Sequence, residues 1–195
     1  MKPRSDIDVC KVSHRRLVVD VAALSATELG APSLLPGYTR GHVVAHLTNK
    51  ARAHALLFEG ATAGEMRWLH PIDHDPDAAA AAGADRQPGE LLSELDQALE
   101  QLEAAWDALD DPLWERLGLM MAGPRTMTQI LGHHLRNVEV HHLDLNVGYR
   151  PSDWPERFVE GELVKRLDAL PARADHAELL AWLLGRGAAP DLAPW

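Results

Sequence analysis

The chain has a single cysteine, Cys10. An intramolecular disulfide is therefore impossible, and such cysteine usage points to a reducing, cytoplasmic home. Cys10 falls inside an apparent first helix, where a free cysteine packs as a small hydrophobe more often than it does chemistry. Long apolar runs are also missing. None approaches the roughly 18 residues that span a bilayer, and the opening MKPRSDIDVCKV has no apolar signal region. Positive charge is scarce. A net charge of -10 at pH 7 argues against nucleic acid, whose partners carry basic surfaces, and no basic recognition helix supports a DNA-binding regulator. Aromatic residues are few, and six of the ten are Trp, which suits core or interface better than a cofactor box. No Val/Ile/Thr run alternates with period two, so the usual strand signal is absent.

What the sequence does have is helical periodicity. A first helix is predicted from about Ile7 to Leu29, with Leu17, Val21 and Leu24 on its apolar stripe. The breaker GAPSLLPG ends it, and Thr39 is placed to cap a second helix that runs to about Gly60. Between Gly64 and Pro88 the residues Pro71, Pro76 and Pro88, several Asp and an Ala run predict a loop with one helical turn at most. The third helix, PGELLSELDQALEQLEAAWDAL, carries Leu92, Leu95, Leu99, Leu102 and Trp106 at spacings of three and four. Its acidic stripes read as a solvated face. After a linker through Gly123-Pro124, Thr126 and Gln129 stand at capping-box spacing and open a fourth helix to about Asn146, with Gly148 as its stop. Two shorter helical segments follow, near Pro155–Ala169 and Ala174–Leu184, and then an irregular tail, GRGAAPDLAPW. The fold class expected is all-α: a four-helix bundle over residues 1–150, with a truncated, mainly helical extension over 151–195.

Histidines are stacked on the second and fourth of these helices. His42 and His46 are four apart on the second; His133, Asn137 and His141 repeat at the same interval on the fourth. Residues four apart share a helical face, so imidazoles from two adjacent helices can converge on one metal ion. His133 and His141 lie roughly 12 Å apart along the axis and cannot easily share it. Asn137 and His141 can. Glu139 points to almost the opposite face, whereas Asp144 lies nearer the face of His141. With eleven histidines in the chain, some four-apart pairs arise by chance, and a surface or hydrogen-bonded core histidine is the commoner outcome. His70, His74 and Asp75 form the alternative place for an ion.

LLPGYTRGHVVAHL resembles the opening of the second helix of the mycothiol-dependent maleylpyruvate isomerases, within the DinB-like superfamily. LRNVEVHHLDLNVGY resembles that family's fourth-helix signature, and the closing LLGRG resembles its Gly-Arg-Gly phrase. The resemblance implies a DinB-like four-helix bundle holding a divalent metal, expected to be zinc, through His46, Asn137 and His141. It also implies an arginine, Arg186, that reaches a substrate carboxylate. In the family a Glu stands where this chain has Asn137. An amide oxygen is neutral and a poorer zinc ligand than a carboxylate, so metal affinity should fall, or water, His42 or another group must assist. The family's small α/β domain between the fourth helix and LLGRG has no counterpart here, where only helices are apparent.

The activity implied is thiol-dependent isomerisation of maleylpyruvate-like cis-unsaturated acids with mycothiol as the low-molecular-weight thiol, or a related thiol S-transfer. In the isomerase a metal-held thiolate adds to the conjugated double bond, the new single bond rotates, and elimination returns the trans isomer. The expected partners are a small-molecule substrate and the thiol, with no nucleic acid and no membrane; a homodimer is left open. The competing reading is a catalytically silent DinB-like protein that binds a ligand or a partner through a weakened metal site.

Overall fold

Chain breaks and caps divide the helices. In the structure, a computed structural model describing residues 1–70 and 75–192, helix α1 spans Arg4–Ala22 and buries Ile7, Cys10, Leu17 and Val21. The single helix expected to Leu29 is in fact two. Ser25 accepts from the Glu28 amide, Glu28 returns the bond to the Ser25 amide, and this capping box starts a separate short helix, α2 (Ala26–Gly30). Helix α3 (Arg40–Ala63) begins at Thr39 and stops at Gly64, whose φ of 81° is the left-handed conformation that glycine adopts without steric cost.

The expected loop between residues 64 and 88 holds more helix than one turn. Asp75 accepts from the amides of Asp77 and Ala78, and α4 runs Pro76–Ala84. Proline at the first helical position loses no hydrogen bond, so the prolines that read as breakers instead start helices here and at α5 (Pro88–Ala108). Gly41 admits the Ala84 carbonyl: a Cβ at residue 41 would sit 2.5 Å from that oxygen.

The linker to the fourth long helix contains a 3-10 turn (Asp111–Glu115) and a hairpin that the sequence did not signal. Its strands, β1 (Leu117–Met120) and β2 (Gly123–Thr126), pair antiparallel with Leu117 opposite Thr126. Leu119 also bonds through its backbone to Arg67 and Leu69. Helix α6 (Met127–Asp144) opens with the Thr126–Gln129 capping box and ends before Asn146, which takes a left-handed φ of 54°.

The architecture is an all-α four-helix bundle. Helix α3 packs on α5 and α6, and α1 packs on the same two, giving the cyclic order α1, α5, α3, α6. The core lies among them, centred on Trp106, Phe58, Leu17, Leu95, Leu102, Ile130 and Leu131. Trp114, in the 3-10 turn, is buried against Phe58.

The chain divides into two units, Met1–Trp154 and Pro155–Trp195. The second contains α7 (Glu156–Ala169) and α8 (His176–Leu183), joined by a 3-10 turn at Leu170–Arg173. No described helix is long and apolar enough to cross a membrane.

Candidate functional site

The N-terminus of α3 determines which histidine is available. Thr39 Oγ1 accepts from the His42 amide at 3.3 Å, and His42 Nδ1 turns back to Thr39 Oγ1 at 2.7 Å. The His42 ring also stands edge-on to Tyr38. The helper expected in His42 is thus occupied as part of the cap. His46, one turn further on, faces α6 instead. Its ring lies 4.8 Å from that of His141, centroid to centroid, at 73°. Asn137, one turn before His141, lies beside His46 and acts on that ring in the direction that favours its charged form.

Electrostatics keep His46 neutral. Burial, then the neighbouring His141 and Lys50, push its pKa down to about 4. A neutral imidazole is the form that ligates metal. His46 Nε2 and Asn137 Nδ2 are both buried and without a hydrogen-bond partner. Buried polar atoms are nearly always paired, so two orphans side by side indicate that another species completes them. His141 is oriented from behind: its Nδ1 is 2.9 Å from Asp144 Oδ2, leaving Nε2 to coordinate. A carboxylate on the far nitrogen is the usual outer partner of a metal-bound histidine. The residues therefore fit a divalent ion through two imidazoles and an amide oxygen, with the assignment of the Asn137 oxygen and nitrogen interchangeable. No group of three or more His, Cys, Asp or Glu among the described residues is arranged to hold a metal. The neutral donor of Asn137 is the reason this site is not such a group.

Other candidates are engaged elsewhere. Glu139 is buried and accepts from Ser13 Oγ and the Tyr149 hydroxyl. Burial and that bond push the Tyr149 hydroxyl pKa up. Burial, followed by repulsion from Asp6, Glu139 and Glu103, pushes the Cys10 thiol up, which disqualifies it as a nucleophile. His70 Nε2 stands 3.0 Å from Lys50 Nζ. Asp75 caps α4, and His74 lies outside the described residues. Arg186 belongs to the second unit, where it is exposed and donates to the Gly185 carbonyl.

Sequence reasoning missed a second histidine set. His14 on α1, His54 on α3 and His134 on α6 are buried in the bundle core. His54 Nδ1 lies 3.1 Å from His134 Nδ1, His134 Nε2 lies 2.8 Å from His14 Nε2, and His14 Nδ1 lies 2.6 Å from Glu103 Oε1 on α5. Each helix of the bundle contributes one member. Trp106 stacks on His14 and meets His134 edge-on. The available signal was placement on apolar stripes: Leu131, Leu135 and Val138 surround His134 on its face, and buried polar rings need partners.

No curated protein matches the sequence. Among solved structures, the chain is similar to the mycothiol-dependent maleylpyruvate isomerase, with a TM-score of 0.76 and 23% identity over 80% of this chain and 66% of that one. A mutant of that enzyme matches equally well in TM-score. YfiT from Bacillus subtilis, described as "a probable metal-dependent hydrolase with an unusual four-helix bundle topology", has a TM-score of 0.64 and 19% identity, covering 78% of this chain and 88% of its own. At these identities the likeness shows the fold, a four-helix bundle, and the chain spans about two thirds of the length of the isomerase. Residues 10–146, which include His46, Asn137 and His141 as well as His14, His54, Glu103 and His134, match the sequence model of the mycothiol maleylpyruvate isomerase N-terminal domain, and the chain belongs to that family.

Proposed function

We propose that the protein is a metal-assisted, thiol-dependent isomerase of maleylpyruvate-like cis-unsaturated acids, or a related thiol S-transferase, working with zinc and mycothiol. The observation that carries this reading is the pairing of His46 with His141 beside two buried, unpartnered polar atoms. A divalent ion held there supplies a Lewis acid that stabilises a thiolate at neutral pH. His46 offers a lone pair kept free by burial, Asp144 fixes the orientation of His141, and Asn137 adds an oxygen donor. Arg186 is assigned to a carboxylate of the substrate.

A ligand that binds only the folded state raises the melting temperature by mass action. Zinc is expected to do so for the wild type, and His46→Ala is expected to abolish the rise while leaving the apo protein folded. An equal rise in both would place the ion elsewhere. One observation favours a second reading: the uncharged Asn137 suits a catalytically silent bundle that binds a ligand or partner. Elemental analysis of protein purified without chelator separates the two. Near-stoichiometric zinc supports the enzyme; protein that is metal-free and indifferent to added zinc supports the silent bundle.

A further inference from the structure

With Glu103 ionised and all three rings neutral, the buried chain Glu103–His14–His134–His54 has only one consistent pattern of protons. A carboxylate can only accept, so Glu103 requires a proton on His14 Nδ1. His14 Nε2 is then an acceptor, and His134 must donate to it from Nε2. That leaves His134 Nδ1 as an acceptor for His54 Nδ1–H. The sequence of bonds ends on His54 Nε2, a bare lone pair that is buried and has no hydrogen-bond partner. His54 is not isolated from the α6 face that carries Asn137. Its ring meets that of His133 at 5.4 Å and 77°, and His133 is half-buried one turn before Asn137.

We infer that these four residues form a charge-neutral proton conduit between the α6 face that carries His133 and Asn137 and solvent at Glu103. The inference rests on the proposed thiol chemistry only for its purpose, which is to take the proton that a bound S–H group releases. The transfers balance at every contact. A proton arriving at His54 Nε2 forms an N–H bond there, and His54 Nδ1–H passes to His134 Nδ1. His134 Nε2–H then passes to His14 Nε2, and His14 Nδ1–H to Glu103 Oε1. Each ring ends neutral in its other tautomer, and Glu103 ends as the carboxylic acid. Its side chain is 26% exposed and can exchange that proton with water. No imidazolium has to persist in the core, where burial and neighbouring rings hold His54 and His134 far from the charged form. The conduit resets by running backwards, which suits a reaction that releases a proton in one half and recovers it in the other.

Two measurements on the full chain test the conduit. Long-range 1H–15N correlation spectra of the labelled wild-type protein read the ring tautomers directly. Protons are expected on His14 Nδ1, His134 Nε2 and His54 Nδ1; the opposite assignment at any of the three overturns the inference. Glu103→Gln keeps an acceptor for His14 but cannot take up a proton. It is expected to slow solvent exchange of the His54 and His134 ring N–H protons by at least about tenfold, with the backbone amides of α3 and α6 unchanged. Ring exchange that is unaffected, or that moves together with those amides, means the protons escape by local opening and not through Glu103. Failure of the thiol reading is distinguishable. A protein with these tautomers and slowed exchange that binds no zinc keeps the conduit and loses the thiol.

Discussion

At the scale of single residues, Asn137 decides how strong the site is. In the proposed site His46 and His141 would supply two nitrogen ligands, and Asn137 at the third position carries no charge. Asn137→Glu restores a charged oxygen at the same helical height, one turn before His141. Zinc affinity is expected to rise at least tenfold, which corresponds to about 1.4 kcal/mol or more. Competition with a chromophoric chelator measures it. Unchanged or weaker binding would mean that residue 137 does not face the ion. Four-residue spacing puts His42 with His46, and Asn137 with His141, on one face of each helix; the choice of His46 came from the family resemblance, and the packing of α3 on α6 sets its ring beside that of His141. His42 has the same spacing from His46, yet its ring is occupied by Thr39. Sequence periodicity shows which face a residue occupies but not which hydrogen bonds it makes. The orientation of His141 by Asp144 was half-visible, as a carboxylate three residues on.

At the scale of elements, the long helices were legible because their apolar stripes repeat over many turns and their caps are strong. The hairpin was not. LGLM and GPRT are each four residues long, too short for alternation to register, and a backbone bond from Leu69 to the Leu119 carbonyl completes their pairing from far along the chain. The packed faces of α3 and α6 carry a cost that appears in acid. Burial depresses the basicity of His54 and His134 in the folded state, while the unfolded chain titrates them near 6.5. The unfolded state therefore binds protons that the native state refuses. Stability is whole above about pH 7 and falls as pH drops below about 6.5 toward the native values, by up to about 2.7 kcal/mol per pH unit for the two rings together. His46, with its pKa near 4, adds to the same loss over that interval. Urea unfolding followed from about pH 7 down to about pH 5.5 checks the slope. A flat profile would show that the core histidines become protonated in place.

At the scale of the molecule, the residues of the proposed metal site belong to the first unit and Arg186 to the second. Apart from Phe158 and Leu179, every buried apolar residue described belongs to the first unit, which also contains the whole set His46, Asn137, His141 and the buried relay. A domain folds alone when it has its own core and few bonds cross its boundary. Within the first unit, Tyr149, Trp154 and the carbonyl of Asp153 tie its last turn back to Glu139 and Arg16. A chain ending after Trp154 is therefore expected to unfold in one cooperative transition and to show the same zinc-induced rise in melting temperature as the full chain. It would lack Arg186, and with it the contact assigned to a substrate carboxylate. If the shortened chain fails to fold, the first unit is not an autonomous domain; if it folds and loses its zinc response, His46, Asn137 and His141 do not suffice to hold the ion. If it folds and keeps the zinc response, any turnover recovered from the full chain by supplying a thiol and a cis-unsaturated acid should disappear on truncation. The loss should be matched by Arg186→Ala in the intact protein, because both changes remove the same guanidinium and leave the imidazoles where they are.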